Sequence, residues 1–543
     1  MKYIVGESRN QIVLLPDCIE DYVGKDNPVR VIDAFVNQLN MDGLGFKRAK
    51  PSDTGRPPYD PRDLLKLYIY GYFNKIRSSR KLMQECTRNL EVMYLIGKLA
   101  PDFRTIADFR KDNPTVLKKV FKEFVKVCMR LNLYQRELLS IDGSKFRAQN
   151  SKDNCYNREV LEKKLANIEK NISGYLSCLG KEDEDEVASE GSTPEQIQTA
   201  IKELTERKEK YSGYLKELEK SGETQLLTTD PDARRMHSKD GFHCSYNAQT
   251  AVDGGSHLIV GYSVDNKSDV GHLREVSDDA KELLEVPSIE VLADKGYDSN
   301  QDILDCLMNG TVANVSIKEE KEERIFTIEY IKNDIDDATR KSTEPEKIQK
   351  CLHAGVLPEC YERTSVSVEF QKDDEGVLSC FTLQDNGTVT CPMGNTLFAT
   401  RRKGVQTYYS SRAACRFCTN RCTQSKSKVV AFGPNTKYVP IRMNPCNGRK
   451  LPLMPKGVKL PNNFKKKSDK KVVIRMKHTD EMTTKRMSLS EHPFGTVKWY
   501  NFGHYVLCRG KEKVTAELGL SFLAYNLRRA INMIGVQKLI MAM

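Results

Sequence analysis

The sequence predicts a mixed α/β fold in which one sheet gathers acidic side chains at its rim, with helices before it and insertions within it. Three observations predict this. Apolar runs lead into an aspartate in "ELLSIDGSKFR" (137–147) and again in "SIEVLADKGYDS" (288–299). Between them, "FHCSYNAQTAVDGGSHLIVGYSVD" (242–265) reads as two β-rich runs about Asp253-Gly254-Gly255, a hairpin signal. "HLREVSDDAKELL" then has helical spacing, so strands and helices share one unit.

Up to about residue 135 the chain reads as helical. "DNPVRVIDAFVNQLN" places Val29, Ile32, Phe35 and Leu39 at helical intervals behind Asn27-Pro28. "GRPPYDPRDLLKLYIYGYFNKIRSSRKLMQEC" adds an apolar helix and a basic cluster, Lys75, Arg77, Arg80 and Lys81, and "PDFRTIADFRKDN" is a second short basic helix. Short helices with basic ends suit a helix-turn-helix-like DNA reader, or equally a bundle with a solvated basic face. From 136 to 150 the first strand of the sheet appears. Over 151–225, Leu161, Leu165, Ile168, Ile172 and Tyr175, then Ile197, Ile201, Leu204, Tyr211, Leu215 and Leu218, follow heptad spacing around the acidic break "KEDEDEVASEGSTPEQ". Two such helices predict an antiparallel coiled-coil hairpin inserted in the sheet. The sheet continues over 226–345 and a cysteine-containing insertion spans 346–471. Residues 315–470 as a whole read as irregular and polar. The C-terminal part, 472–543, closes with Leu520, Leu523, Leu527 and Ile531 on one helical face, Arg528 and Arg529 on the other.

At 543 residues the chain exceeds one ordinary core, so roughly two to four domains are expected. A formal net charge of +12 favours an anionic partner. No apolar run is long enough to cross a bilayer, and "MKYIVGESRNQIVLLPDC" lacks the order of a secretory signal, so a cytoplasmic location without membrane contact is expected. The sixteen cysteines then read as free thiols or metal ligands rather than a disulfide framework.

Asp142 and Asp294 form either a metal pair, a general acid/base pair or two unrelated turn residues. A third acid, Glu491, stands in "KRMSLSEHPFGTVKWY" with Lys498 seven residues on, two helical turns away on one face. Separately, Cys391 in "CPMG" and Cys415, Cys418 and Cys422 in "CRFCTNRC" supply four thiolates for a tetrahedral structural Zn²⁺, with Cys380 or Cys446 as substitutes. "FKKKSDKK" beside them is either a DNA-backbone contact or a solvated linker. Trp499, the only tryptophan, reads as core or as a stacking platform for an unpaired base.

Taken in order, "SIDGSKF", "ADKGYDS", "SEHPFGTVK" and "LAYNLRR" resemble the DDE transposases of bacterial insertion sequences, and "GRPPYDPRDLLKLYIYGY" resembles their InsH-type helical N-terminal domain. The resemblance implies a ribonuclease-H-like catalytic core; the cysteine segment, by its own spacing, reads as a zinc-ribbon-like insertion. It assigns catalysis to Asp142, Asp294 and Glu491, which would hold two Mg²⁺ (or Mn²⁺) ions, and matches Lys498 to the family's DNA-contacting lysine. The family's arginine, four positions before the glutamate, falls on Met487, and Arg486 is one residue off. The partners it implies are double-stranded DNA, at element ends and target, and a second copy of the chain on that DNA, in the nucleoid. Strand cleavage and strand transfer would follow. A nuclease of the same fold that cuts without joining, or a zinc-containing DNA-binding protein without catalysis, are the rival readings. Pro493 predicts that Glu491 sits at a kink or in a first helical turn.

Overall fold

In a computed structural model of the chain, all residues are described except 1–17, 52–56, 183–193, 239–240, 318–322, 372–376, 420, 424, 444–453, 456–470 and 503. The acidic break of the hairpin, Cys446 and nearly all of "FKKKSDKK" therefore lie outside the described residues. So does the start of the chain.

Seven helices come first: α1 (Val29–Asn37), α2 (Met41–Leu44), α3 (Pro61–Phe73), α4 (Ser79–Arg88), α5 (Leu90–Ile96), α6 (Phe103–Asp112) and α7 (Pro114–Arg130). Their starts follow capping chemistry. Asp60 accepts from Arg62 N at 2.8 Å with Pro61 in the first turn, and Asp102 accepts from Arg104 N and Thr105 N at 2.8 and 3.0 Å. α3 is buried from Leu64 to Tyr72 on every side, which marks it as the centre of its layer rather than a surface helix.

The main sheet comprises β1 (Leu138–Arg147), β4 (Arg234–Ser238), β5 (Gly241–Asp253), β6 (Ile259–Asp265), β7 (Ile289–Ala293) and β8 (Thr311–Val315), in the order β4-β5-β1-β7-β8 with β6 also on β5. β1, β7 and β8 are parallel, linked through α10 (Leu273–Leu284) and α11 (Asn300–Met308); the β5 pairings are antiparallel. Asp253 makes the β5–β6 turn, accepting from Gly255 N at 3.1 Å and Ser256 N at 2.8 Å. Between β1 and β4, the short pair β2 (Cys155–Tyr156) and β3 (Leu226–Leu227) closes the base of α8 (Arg158–Glu182) and α9 (Pro194–Ser221), which pack side by side. Leu161, Ile168 and Leu218 are buried between them, and Tyr156, Tyr211 and Tyr214 cluster at 5.3–6.3 Å.

The described part of the stretch read as irregular forms regular elements. β9 (Glu323–Glu329), helices α12 (Asp337–Lys341) and α13 (Pro345–His353), and β10 (Val366–Phe370) lead to β11 (Val377–Leu383), β12 (Val389–Thr390), β13 (Thr396–Lys403), β14 (Gln406–Ser410), α14 (Arg412–Arg416), β15 (Val430–Phe432) and β16 (Tyr438–Met443). β11 to β16 form a second, antiparallel sheet, ordered β15-β14-β13-β12-β11-β16, over a small core of Phe381, Val389, Leu397 and Phe432. Its strands are short and polar on one face, so alternation was hidden among turn residues. β17 (Lys471–Lys477) pairs between β9 and β10 and returns the chain to α15 (Asp480–Gly495), a π-helical turn Thr496–Phe502, α16 (Lys511–Ile534) and α17 (Val536–Met541).

The N-terminal helices do not stand apart. α16 packs on α3, α7 and β6, and one core runs from Val29 through the main sheet to Leu539. Asn526 on α16 joins backbone to helix. Its Oδ1 accepts from Ile259 N at 2.9 Å and its Nδ2 donates to Ile259 O at 2.7 Å, so a side chain completes the hydrogen bonding of β6. Arg529 donates to Ser256 O at 2.7 Å and Arg528 to Phe73 O, which gives "LAYNLRR" a tertiary role at each polar position.

Candidate active site at the β1–β7 junction

β1 does not stop at Asp142. Its antiparallel pairing with β5 runs on to Arg147, whose N donates to His504 O at 2.7 Å and whose O accepts from Val506 N at 2.9 Å. What ends is the parallel pairing with β7, at Ile141 opposite Ala293. The next residue of each strand is an aspartate, so Asp142 and Asp294 emerge side by side where two parallel strands part. Each accepts the N–H of its own successor, Gly143 N at 2.8 Å and Lys295 N at 2.6 Å, which fixes both carboxylates close to the backbone.

α15 lies across this junction. Arg486 and Ser490, one helical turn apart, face the sheet. Arg486 Nη1 stands 3.8 Å from Asp142 Oδ2, and Ser140 Oγ donates to Arg486 O at 3.5 Å. Asp142 keeps only 23% of its side-chain exposure. Burial pushes its carboxyl up to about 6, Arg486, Ser490 and the Gly143 N–H pull it down, and Asp294 pushes it further up. Arg486 Nε is buried without a partner among the described residues. The residue one off the family's spacing is therefore the one that reaches Asp142, and Met487 is exposed.

Glu491 is not at the pair. It is exposed, one residue beyond Ser490 and so about 100° round the helix from the face that meets the sheet. Nor does it sit in a first turn: α15 continues past it, with Pro493 inside the helix. Among the described residues, no three or more His, Cys, Asp or Glu side chains are grouped so as to hold a metal ion. The two aspartates fit a hard divalent cation by chemistry and adjacency, and the third carboxylate is missing from the cluster.

Lys498 belongs to the π-helical turn. Its Nζ donates to Lys145 O at 2.8 Å, on the edge of β1 that β7 has left, and lies 4.9 Å from the centre of the Phe146 ring. Trp499 is not core. It is 79% exposed, edge-on to His504 at 4.7 Å. The basic cluster of the N-terminal helices is partly internal: Arg77, with 10% side-chain exposure, donates to Tyr505 O at 2.8 Å and sits 3.6 Å from Glu517, and Arg110 donates to Tyr72 at 3.0 Å.

The four cysteines Cys391, Cys415, Cys418 and Cys422 line one cavity of the second sheet with Phe381, Met393 and Leu397. As placed they are not close enough together to count as a metal-holding group, although the all-sulfur donor set is that of zinc. Cys380 does not join them; Phe381 faces the cavity, and Cys380 is turned to Thr382 at 3.7 Å.

A family model described as a transposase domain (DUF772) matches residues 17–112, and one described as a transposase DDE domain matches residues 209–386. The chain belongs to the insertion-sequence DDE transposases. The DDE match covers Asp294 but neither Asp142 nor Glu491 of this transposase, so those two rest on the motifs and the geometry. No curated protein shows significant sequence similarity. Among solved structures, a piggyBac transposase synaptic complex with hairpin DNA is 8% identical, with 95% of this chain and 79% of that chain covered and a TM-score of 0.27, a likeness too slight to bear on fold or function. Among the described residues of the transposase, no helix is long and apolar enough to cross a membrane.

Sequence reasoning missed Ser490, Gln249, Asp269 and Tyr297, which surround the pair. Asp269 was signalled only by following, four residues on, the end of a β-rich run, in "VDNKSDVGH".

Proposed function

We propose that this transposase binds double-stranded DNA at the ends of its insertion sequence and carries out metal-dependent strand cleavage and strand transfer at Asp142 and Asp294. The observation that carries the reading is the register: parallel strands that part at Ile141 and Ala293 present one aspartate each. A bound Mg²⁺ or Mn²⁺ would stabilise charge on the phosphate and acidify the attacking water. The two carboxylates hold and orient the cation. Without a cation, Arg486 favours the ionised form of Asp142 beside Asp294 against the effect of burial. The attacking oxygen comes from water in cleavage and from a DNA 3′-hydroxyl in joining, so no protein nucleophile is required. Glu491 completes the carboxylate set if α15 turns by one residue about its axis, which exchanges Ser490 for Glu491 and Arg486 for Met487 at the sheet, so that a bound cation would replace Arg486 as the counter-charge of Asp142. Pro493 favours such a turn, since it has no N–H to bond Leu489 O. A pair of chains on paired DNA ends is part of the same proposal, as is a core of ribonuclease-H-like type with the α8–α9 hairpin and the second sheet as insertions.

The test is a gel shift and a strand-transfer assay on DNA carrying the element's ends. Asp142→Asn should abolish cleavage and joining together while end binding persists; joining at the wild-type rate by this variant would end the reading. Glu491→Gln should lose cleavage equally, and full activity there would remove Glu491 alone.

The cysteine cavity is proposed to hold a structural zinc. Purified protein should carry about one zinc per chain, by the four-thiolate rule. Cys418→Ser should lose the metal and lower the unfolding temperature; metal analysis that finds no zinc in the wild-type protein would refute the site.

A further inference from the structure

Below the aspartate pair, on the side of β1 away from the Asp142 side chain, lies a polar group that the proposed chemistry does not use. Strand alternation turns Gly143 to that side together with its β5 partner, Gln249. There Asp269 Oδ1 accepts from Asn247 Nδ2 and from Gln249 Nε2, each at 2.8 Å. Tyr297, buried, donates its hydroxyl to Gln249 Oε1. Burial, and then the charges of Asp269, Asp142 and Asp294, disfavour the phenolate of Tyr297, with Arg486 opposing them.

Two glycines make room for this arrangement. A β-carbon on Gly143 would collide with Asp269 Oδ1 and come within 2.6 Å of Gln249 Nε2. A β-carbon on Gly296 would lie 3.1 Å from Asp269 Oδ2. Gly143 follows Asp142 by one residue and Gly296 follows Asp294 by two. Neither position has a positive φ, so turn conformation does not explain the glycines. Space for one carboxylate does.

We infer that Asp269 is a positioning residue of this site: wedged between Gly143 and Gly296, it fixes the two segments that carry Asp142 and Asp294, and its charge strengthens their hold on a divalent cation. The inference rests on the proposed assignment of those aspartates. It acts through field and geometry, since Asp269 approaches from the opposite side of β1 and does not enter the cation's own ligand set. A negative charge behind a two-carboxylate site in a partly desolvated rim adds attraction for a divalent ion without adding a ligand.

The experiment measures Mn²⁺ binding to the full-length, DNA-free protein by electron paramagnetic resonance, beside thermal unfolding and cleavage at varied Mn²⁺. Asp269→Asn should unfold at the wild-type temperature, bind Mn²⁺ about five-fold more weakly, and need correspondingly more Mn²⁺ for half-maximal cleavage, with end binding unchanged. Asp269→Ser, which also leaves both glycines their room, should weaken Mn²⁺ binding alike and unfold at a lower temperature, because Asn247 and Gln249 lose a shared acceptor. Wild-type Mn²⁺ affinity in either folded variant overturns the inference. So does failure of both variants to fold, which would make Asp269 scaffold. Asp142→Asn separates the two levels. If it abolishes Mn²⁺ binding while Asp269→Asn binds normally, only the positioning role fails; if Asp142→Asn binds Mn²⁺ like wild type, the site reading fails first.

Discussion

At Asp142 a carboxyl with an ordinary value of 3.8 is pushed up to about 6, with burial the largest cause. The folded chain therefore takes up this proton more readily than the unfolded chain does. The linked stability is fully present below about 3.8 and is lost as pH rises through about 6. In cation-free buffer, wild type should lose unfolding temperature relative to Asp142→Asn as pH rises from about 4 to about 6, and the variant should be the more stable form above that window. Added Mg²⁺ should then raise the unfolding temperature of wild type and not that of the variant, because it binds the folded site alone. Parallel pH profiles for the two proteins would show that Asp142 is not strained by its surroundings. Arg486 follows the same residue-scale logic: a one-residue departure from the family spacing looked like a loss in the sequence, yet residue 486 is the one whose face of α15 meets the sheet.

Elements differ in how much of their purpose the sequence carried. α16 was legible as a helix from Leu520, Leu523 and Leu527, with its two arginines on the side opposite those leucines. In the fold that side is half-buried, with Arg528 bonded to Phe73 O and Arg529 to Ser256 O, because the helix packs against α3, α7 and β6. Asn526 shows what this asks of a polar residue. Asn526→Ala should leave the N–H of Ile259 buried and unpaired and its C=O with only the 3.3 Å bond from the Tyr134 hydroxyl, at a cost of about 2 kcal/mol. Urea unfolding would measure it, and a loss under about 1 kcal/mol would mean that water or a shifted backbone satisfies β6. The second sheet illustrates the opposite case. Its strands are short, with a small core, and their period was masked by the polar residues and glycines of their turns.

Across the whole molecule, the N-terminal helices and the C-terminal helix share a core, and Arg77 is one of its fastenings. Glu517, 1% exposed, accepts from Leu507 N at 3.0 Å and Cys508 N at 2.8 Å, with Arg77 3.6 Å away. Removing the cation would leave a buried carboxylate short of its counter-charge. Arg77→Ala should therefore destabilise the protein by about 3 kcal/mol in thermal or urea unfolding. Were Arg77 instead a phosphate contact, the variant would fold normally and show a shallower salt dependence of DNA binding. The two outcomes decide whether the basic cluster of the early helices reads DNA or holds domains together.

The sequence alone determined that Asp142 and Asp294 end apolar runs, that a helical hairpin pattern lies between them, and that the motifs occur in a transposase's order. These are local patterns, set by side-chain period and by turn residues within a few positions. Only the tertiary structure decided which side chains share a space. It placed the two aspartates together through strand register and left Glu491 about 100° away on its helix. It also exposed Trp499 and brought Asp269 beneath the pair between two glycines. Register, helix rotation and burial depend on contacts between residues hundreds of positions apart, and no period within one segment encodes them.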